Sequence, residues 1–172
     1  MLYRDLLGED FALLPAPVQR LHDGTDTARF SGEINVTVGT HPIARLAARL
    51  AGLPRTSGRH ALKLTITRAT NGEHWLREFG AARLASRQRR GGGALLIETL
   101  GPARLSFRIR LDRGALVWIP VGIRVLGVPL PRKLLRAVSA REYALGERYA
   151  FEVHAALPLA GLLIAYRGTL DV

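Results

Sequence analysis

The sequence contains no cysteine, which excludes a disulfide framework, a thiolate metal site and a cysteine nucleophile together. It has little lysine: among 25 Lys and Arg residues only Lys63 and Lys133 are lysines, a bias that codon usage in a GC-rich genome explains as readily as phosphate binding does. A contiguous basic block is also missing. Against 14 Asp and Glu the formal net charge is +11, but the densest cluster, Arg83, Arg87, Arg89 and Arg90, is interrupted by other residues and ends in Gly91-Gly92-Gly93. Nucleic-acid binding is therefore not expected, whereas peripheral contact with an anionic membrane surface is compatible with this charge. Long apolar runs are absent too: residues 114–130 are broken by Pro120, Arg124 and Pro129, and residues 157–166 fall well short of the roughly 20 that a spanning helix needs. Residues 1–10 carry Arg4, Asp5, Glu9 and Asp10 where a secretory signal would be apolar, so a cytoplasmic location is expected.

What is present has the profile of one soluble globular domain spanning residues 1–172, with 48% hydrophobic and 23% charged residues. A chain of this length buries roughly 70% of its unfolded surface and needs no staples. Residues 1–28 read as an N-terminal helical cap: Leu2, Leu6 and Leu7 precede Gly8, and Pro15-Ala16-Pro17 starts a short helix that Asp23-Gly24 stops. From Arg29 the period becomes two, with Phe30, Gly32, Ile34, Val36 and Val38 on one face of a strand. Residues 41–53 then place Ile43, Leu46, Ala47 and Leu50 at helical spacing, with Pro42 near the start and Gly52 and Pro54 at the end.

Everything after residue 59 reads as strand and turn. Leu62, Leu64 and Ile66 alternate towards the Asn71-Gly72 hairpin signal, and Trp75, Arg77 and Phe79 share one face of the return strand. Gly80, Gly91 to Gly93, Gly101-Pro102 and Asp112-Arg113-Gly114 follow at about the 8 to 12 residue spacing of an antiparallel meander. Residues 117–128 read as a pair of strands, 131–137 as a short helix or turn, and Tyr149, Phe151, Val153 and then residues 162–170 as the closing strands. The expected fold is mainly β: an antiparallel up-and-down barrel or clam of the calycin or lipocalin kind over residues 29–172, with a helical insertion after its first strand. The alternative is an α+β helix-grip arrangement, which wants a long C-terminal helix. Pro158, Gly161 and Gly168 argue against one.

The opening LYRDLLGEDFALLPAPVQRLHDG, the run RFSGEINVTVGTHPIARLAARLAGLP, the WLREFG and ETLGP turns, GVPLPRKLL and the closing FEVHAALPLAGLLIAYRGTLDV resemble the bacterial domain-of-unknown-function family DUF4166. The resemblance extends over nearly the whole chain. Members of that family stand alone or follow nicotinamide-dependent reductase-like domains, so the resemblance implies an accessory role with a reductase partner and supplies no catalytic residue. This chain has Gly168-Thr169 where the family ends in an aromatic residue after its final glycine.

His22-Asp23 is the one adjacent imidazole and acid pair, although neighbours at a helix end seldom point at one another. The five histidines lack zinc spacing, no G-x-S-x-G elbow surrounds a serine, and Gly91 to Gly93 lacks the lysine and helix of a phosphate loop. No metal, cofactor or catalytic set is expected. The informative constellation is Trp75-x-Arg77-x-Phe79, which sets an arginine between two aromatics on an inner face. A buried guanidinium cannot shed its proton and requires an anion, either Glu98 or a ligand carboxylate or phosphate. Trp75, Arg77, Phe79, Glu98 and Tyr166 are the expected ligand-binding residues, and Trp118 is expected to stand apart from them. The expected function is a binding module for a lipophilic or amphipathic small molecule, apolar or anionic, against the alternatives of an accessory domain or an enzyme drawing on His22, Glu98 or Tyr166.

Overall fold

The computed structural model of the chain describes residues 1–172 apart from Thr25 and Ala51. Ten antiparallel strands follow one another around a closed barrel in chain order: β1 (Ala28–Val38), β2 (Gly58–Ala69), β3 (Gly72–Phe79), β4 (Ala82–Arg90), β5 (Leu96–Leu100), β6 (Ala103–Asp112), β7 (Ala115–Val125), β9 (Val138–Leu145), β10 (Arg148–Leu157) and β11 (Gly161–Asp171). The two-residue β8 (Val128–Pro129) is a flap on β7. Pairing of β11 with β1 closes the circle, with Val38 opposite Ile164 at one end and Ser31 opposite Asp171 at the other. Closure leaves no long unpaired edge, so the expected barrel is the fold and the helix-grip alternative is excluded. The Gly168-Thr169 departure does not interrupt β11, which pairs with β10 on its other side through Leu170.

Alternation fixes which residues face inward. Ile34 and Val36 on β1, Leu62, Leu64 and Ile66 on β2, Trp75 on β3, Leu84 on β4, Phe107 and Ile109 on β6 and Ile164 and Leu170 on β11 are all in the buried core. At the closing seam the strands approach so closely that a Cβ on Gly32 would lie 1.9 Å from the Thr169 carbonyl oxygen. Only glycine fits there.

One strand expectation is corrected, and one strand carries no expectation. Residues 117–128 are not a strand pair: β7 runs unbroken to Val125, and Pro120 is tolerated because the register slips beside it, with Ser106 opposite Gly122 but Phe107 opposite Pro120. The strand β9, VSAREYAL, carries Glu142 and Ala140 on its inward face and so lacks the apolar alternation that marks the others.

The helices close one end and flank the other. Strand directions put the N-terminal cap at the end that holds the β2–β3, β4–β5, β6–β7 and β9–β10 turns. There α1 (Leu2–Leu7), a 3-10 turn (Gly8–Leu13) and α2 (Ala16–His22) drive Tyr3, Phe11, Leu14, Val18 and Leu21 into the barrel as a plug. The opposite end carries α3 (Pro42–Leu50), shorter than the expected 41–53 helix, in which Ala51 lies outside the described residues. The buried face of α3 is one that helical spacing leaves open. Small Ala44 and Ala48 face the barrel, whereas Ile43, Leu46 and Leu50 are 61%, 58% and 66% exposed. No helix among the described residues is long and apolar enough to cross a membrane.

Candidate functional site

The plug does not fill the barrel. A cavity of about 420 Å³ runs from the inner surface of the plug region to the α3 end, and its wall is overwhelmingly aliphatic and aromatic. Leu64, Leu84, Leu105, Phe107, Ile164 and Phe151 supply the middle, while Ala47 of α3 with Leu53, Leu130, Leu134 and Leu157 complete the wall at the far end. The volume lies within the roughly 300–1,000 Å³ of small-molecule sites.

Its polar groups converge in one region near the plug. Trp75 and Arg77, two residues apart on β3, face the lumen as their spacing requires, and the guanidinium lies over the Trp75 ring at 4.9 Å from the centroid. Arg77 donates through Nη1 to Ser86 Oγ at 3.0 Å, and its Nη2 stands 3.7 Å from Glu98 Oε1. Glu98 is buried and also accepts from Gln88 Nε2 at 3.3 Å. Gln88 in turn accepts the Tyr3 hydroxyl at 2.7 Å, which ties the plug to the wall. Tyr166 lies on the same wall. Phe79 does not: it is buried in the core between Leu62 and Ala82 but contributes nothing to the cavity surface. The structure thus brings Trp75, Arg77, Glu98 and Tyr166 together and sets Phe79 aside. Trp118, expected to stand apart, lines the same cavity and holds a buried indole N–H without a hydrogen-bond partner.

Three further residues join this region. His22 is buried at the end of α2, stacks on Tyr3 at 3.6 Å between ring centroids and donates through Nε2 to Glu142 Oε2 at 2.5 Å. Glu142 and Tyr149 both face the lumen. The His22-Asp23 pair does not form, because Asp23 turns outward to Arg4, whose Nη2 donates to it at 2.8 Å. That contact holds the Asp23 carboxyl below its ordinary value. Burial pushes the Tyr149 phenol well above its ordinary value, with Glu142 adding to the effect and Arg77 opposing it. Tyr166 is pushed up to about 12, by burial first, against Arg77 and with Glu98 and Glu142. At neutral pH both phenols are therefore neutral donors in an apolar chamber that also offers one guanidinium.

Glu142 had no signal in the sequence, because an inward carboxylate breaks the apolar alternation by which the other strands are read. Tyr3 and His22 had no signal, since nothing local says that the first helices enter a barrel formed by later strands.

The family model described as Domain of unknown function (DUF4166) matches residues 14–170. No curated protein and no solved structure matches the chain.

Proposed function

Since this chain belongs to the DUF4166 family, whose description assigns no activity, we propose from the geometry of the barrel that it is a binding module for a single lipophilic or amphipathic small molecule. The observation that carries the proposal is the cavity itself: about 420 Å³, walled by apolar side chains, with its polar groups gathered near one end. An amphipathic ligand fits that asymmetry. Its apolar part lies along Leu64, Leu105, Phe107 and Ile164, and its polar head meets Arg77, Tyr149 and Tyr166. Arg77 favours an anionic head because its contact with Glu98, at 3.7 Å, is longer than a bidentate carboxylate pair and leaves donors to share.

Native mass spectrometry of the purified protein is expected to show a copurifying mass of lipid size that organic extraction removes. The emptied protein is then expected to take up a fluorescent fatty-acid analogue saturably and in equimolar amount, with Trp75→Ala weakening the uptake. The emission of the probe, and not that of tryptophan, is the readout, because Trp75 and Trp118 share the cavity. Absence of uptake by the emptied wild-type protein would overturn the proposal.

A further inference from the structure

The connections at the α3 end contain no carboxylate at all. These are residues 39–57, the turns at 80–81, 101–102 and 158–160, and the segment 126–137 around β8. They carry Arg45, Arg49, Arg55, Arg132, Lys133 and Arg136, every one exposed. The plugged end has the opposite balance, with Asp5, Glu9, Asp10, Asp23, Asp26 and Glu147 in its connections. Cations stand in the connections at both ends, Arg4, Arg20 and Arg113 among them at the plugged end, but the carboxylates of the connections stand at that end alone.

The same end gathers exposed apolar side chains. Of the nine large hydrophobic residues exposed among those described, six stand there: Ile43, Leu46 and Leu50 on α3, Leu126 and Val128 at the β7–β8 turn, and Leu159 at the β10–β11 turn. Leu126 and Leu159 are 81% and 103% exposed. At 100° per residue Ile43, Leu46 and Leu50 share one face of α3, Arg45 and Arg49 flank it, and Ala44 and Ala48 attach the helix to the barrel. A helix that turns its large residues outward and its alanines inward is built to bury the outer face in something else.

We propose that the α3 end docks on an anionic phospholipid bilayer, with Ile43, Leu46, Leu50, Leu126 and Leu159 entering the interface and the surrounding arginines meeting lipid phosphates. Charge complementarity selects this occupant. Connections that carry cations and no carboxylate, with apolar tips on separate turns and Glu78 at the adjoining end of β3 paired with Arg83, match a surface that is negative in its headgroups and apolar just beneath them. A protein partner would have to supply a comparably uniform negative rim around an apolar centre. The proposal stands on the exposed surface alone and does not require a ligand in the lumen. It adds that the end of the cavity lined by Ala47 and Leu53 is the one turned to the membrane.

Flotation of the full chain with vesicles of phosphatidylcholine alone, or of phosphatidylcholine and phosphatidylglycerol in equal parts, tests it. Binding is expected to be about tenfold or more stronger to the anionic vesicles and to weaken as salt is raised. Arg45→Glu with Arg49→Glu, and separately Leu46→Ser with Leu50→Ser, are each expected to lower it about tenfold. Leu13→Ser, at the plugged end, leaves it unchanged, and unaltered circular dichroism shows that the variants fold. Equal partition to both vesicle types, or full binding by either double variant, overturns the proposal. So does a stable dimer that Leu46→Ser disperses, which would assign the face to a second copy. Duplex DNA binding that is blind to Leu46→Ser, with no vesicle binding, would assign the cations to nucleic acid and likewise overturn it.

Discussion

Arg77 and Glu98 approach one another to 3.7 Å over β4, the strand between theirs, on one wall of the lumen. Removing one member of a buried pair strands the other charge, so Arg77→Met alone and Glu98→Leu alone are each expected to cost about 3–5 kcal/mol. The double variant should recover much of that. Denaturant melts of the four proteins measure the coupling. Additive losses would mean that Arg77 is balanced by Ser86, Trp75 and lumen water and that its contact with Glu98 contributes nothing of its own.

Ionisation of the tyrosines should be suppressed until the barrel opens. All four, Tyr3, Tyr143, Tyr149 and Tyr166, have raised pKa values, Tyr166 to about 12. In the unfolded chain a phenol titrates near 10. Between those values the unfolded state has lost protons that the native state keeps, so this stabilisation is full below about pH 10 and drains away as pH rises towards 12. Phenolate absorbance followed beside circular dichroism is expected to show one joint alkaline transition. A phenolate signal of several tyrosines near pH 10 in the folded protein would contradict it.

The plug should depend on Tyr3. Tyr3→Phe leaves the Gln88 amide oxygen buried without its donor and is expected to cost about 1–3 kcal/mol. Tyr3→Ala also removes the ring stacked on His22 and is expected to cost about 3–5 kcal/mol. Thermal melts compare the two.

Closure should depend on the glycine seam. Gly32→Ala brings a methyl group to 1.9 Å from the Thr169 carbonyl oxygen, and relief requires β1 and β11 to separate. The loss is expected at or above the top of the roughly 1–3 kcal/mol range of overpacked sites. Gly92→Ala, where a Cβ meets nothing within 4 Å, is the control and should melt as wild type.

Filling the lumen should separate binding from folding. Ala140→Phe projects a ring from β9 into the cavity, and the probe described above is expected to bind at least about tenfold more weakly while stability falls by no more than the roughly 1–3 kcal/mol of an overpacked site. Unchanged probe affinity would place the probe outside the barrel.

The sequence by itself determined the strands whose inward face is continuously apolar, the hairpin at Asn71-Gly72, the helix after β1 and the placing of Trp75, Arg77 and Glu98 on inward faces. Those are consequences of period and turn chemistry, which act over a few residues. It could not reveal β9, because an inward Glu142 erases the alternation and makes sense only once His22, 120 residues earlier, lies against it. Nor could it orient α3. Helical periodicity groups Ile43, Leu46 and Leu50 on one face but is silent on whether the barrel takes that face or the alanine face beside it. Only the packed structure decides that, with Ala44 and Ala48 buried and Ile43, Leu46 and Leu50 exposed. The same holds for charge: the sequence determined a dispersed excess of arginine, and the up-and-down connectivity, by sending alternate connections to opposite ends, brought the six carboxylates that lie in connections to the plugged end and none to the connections at the other.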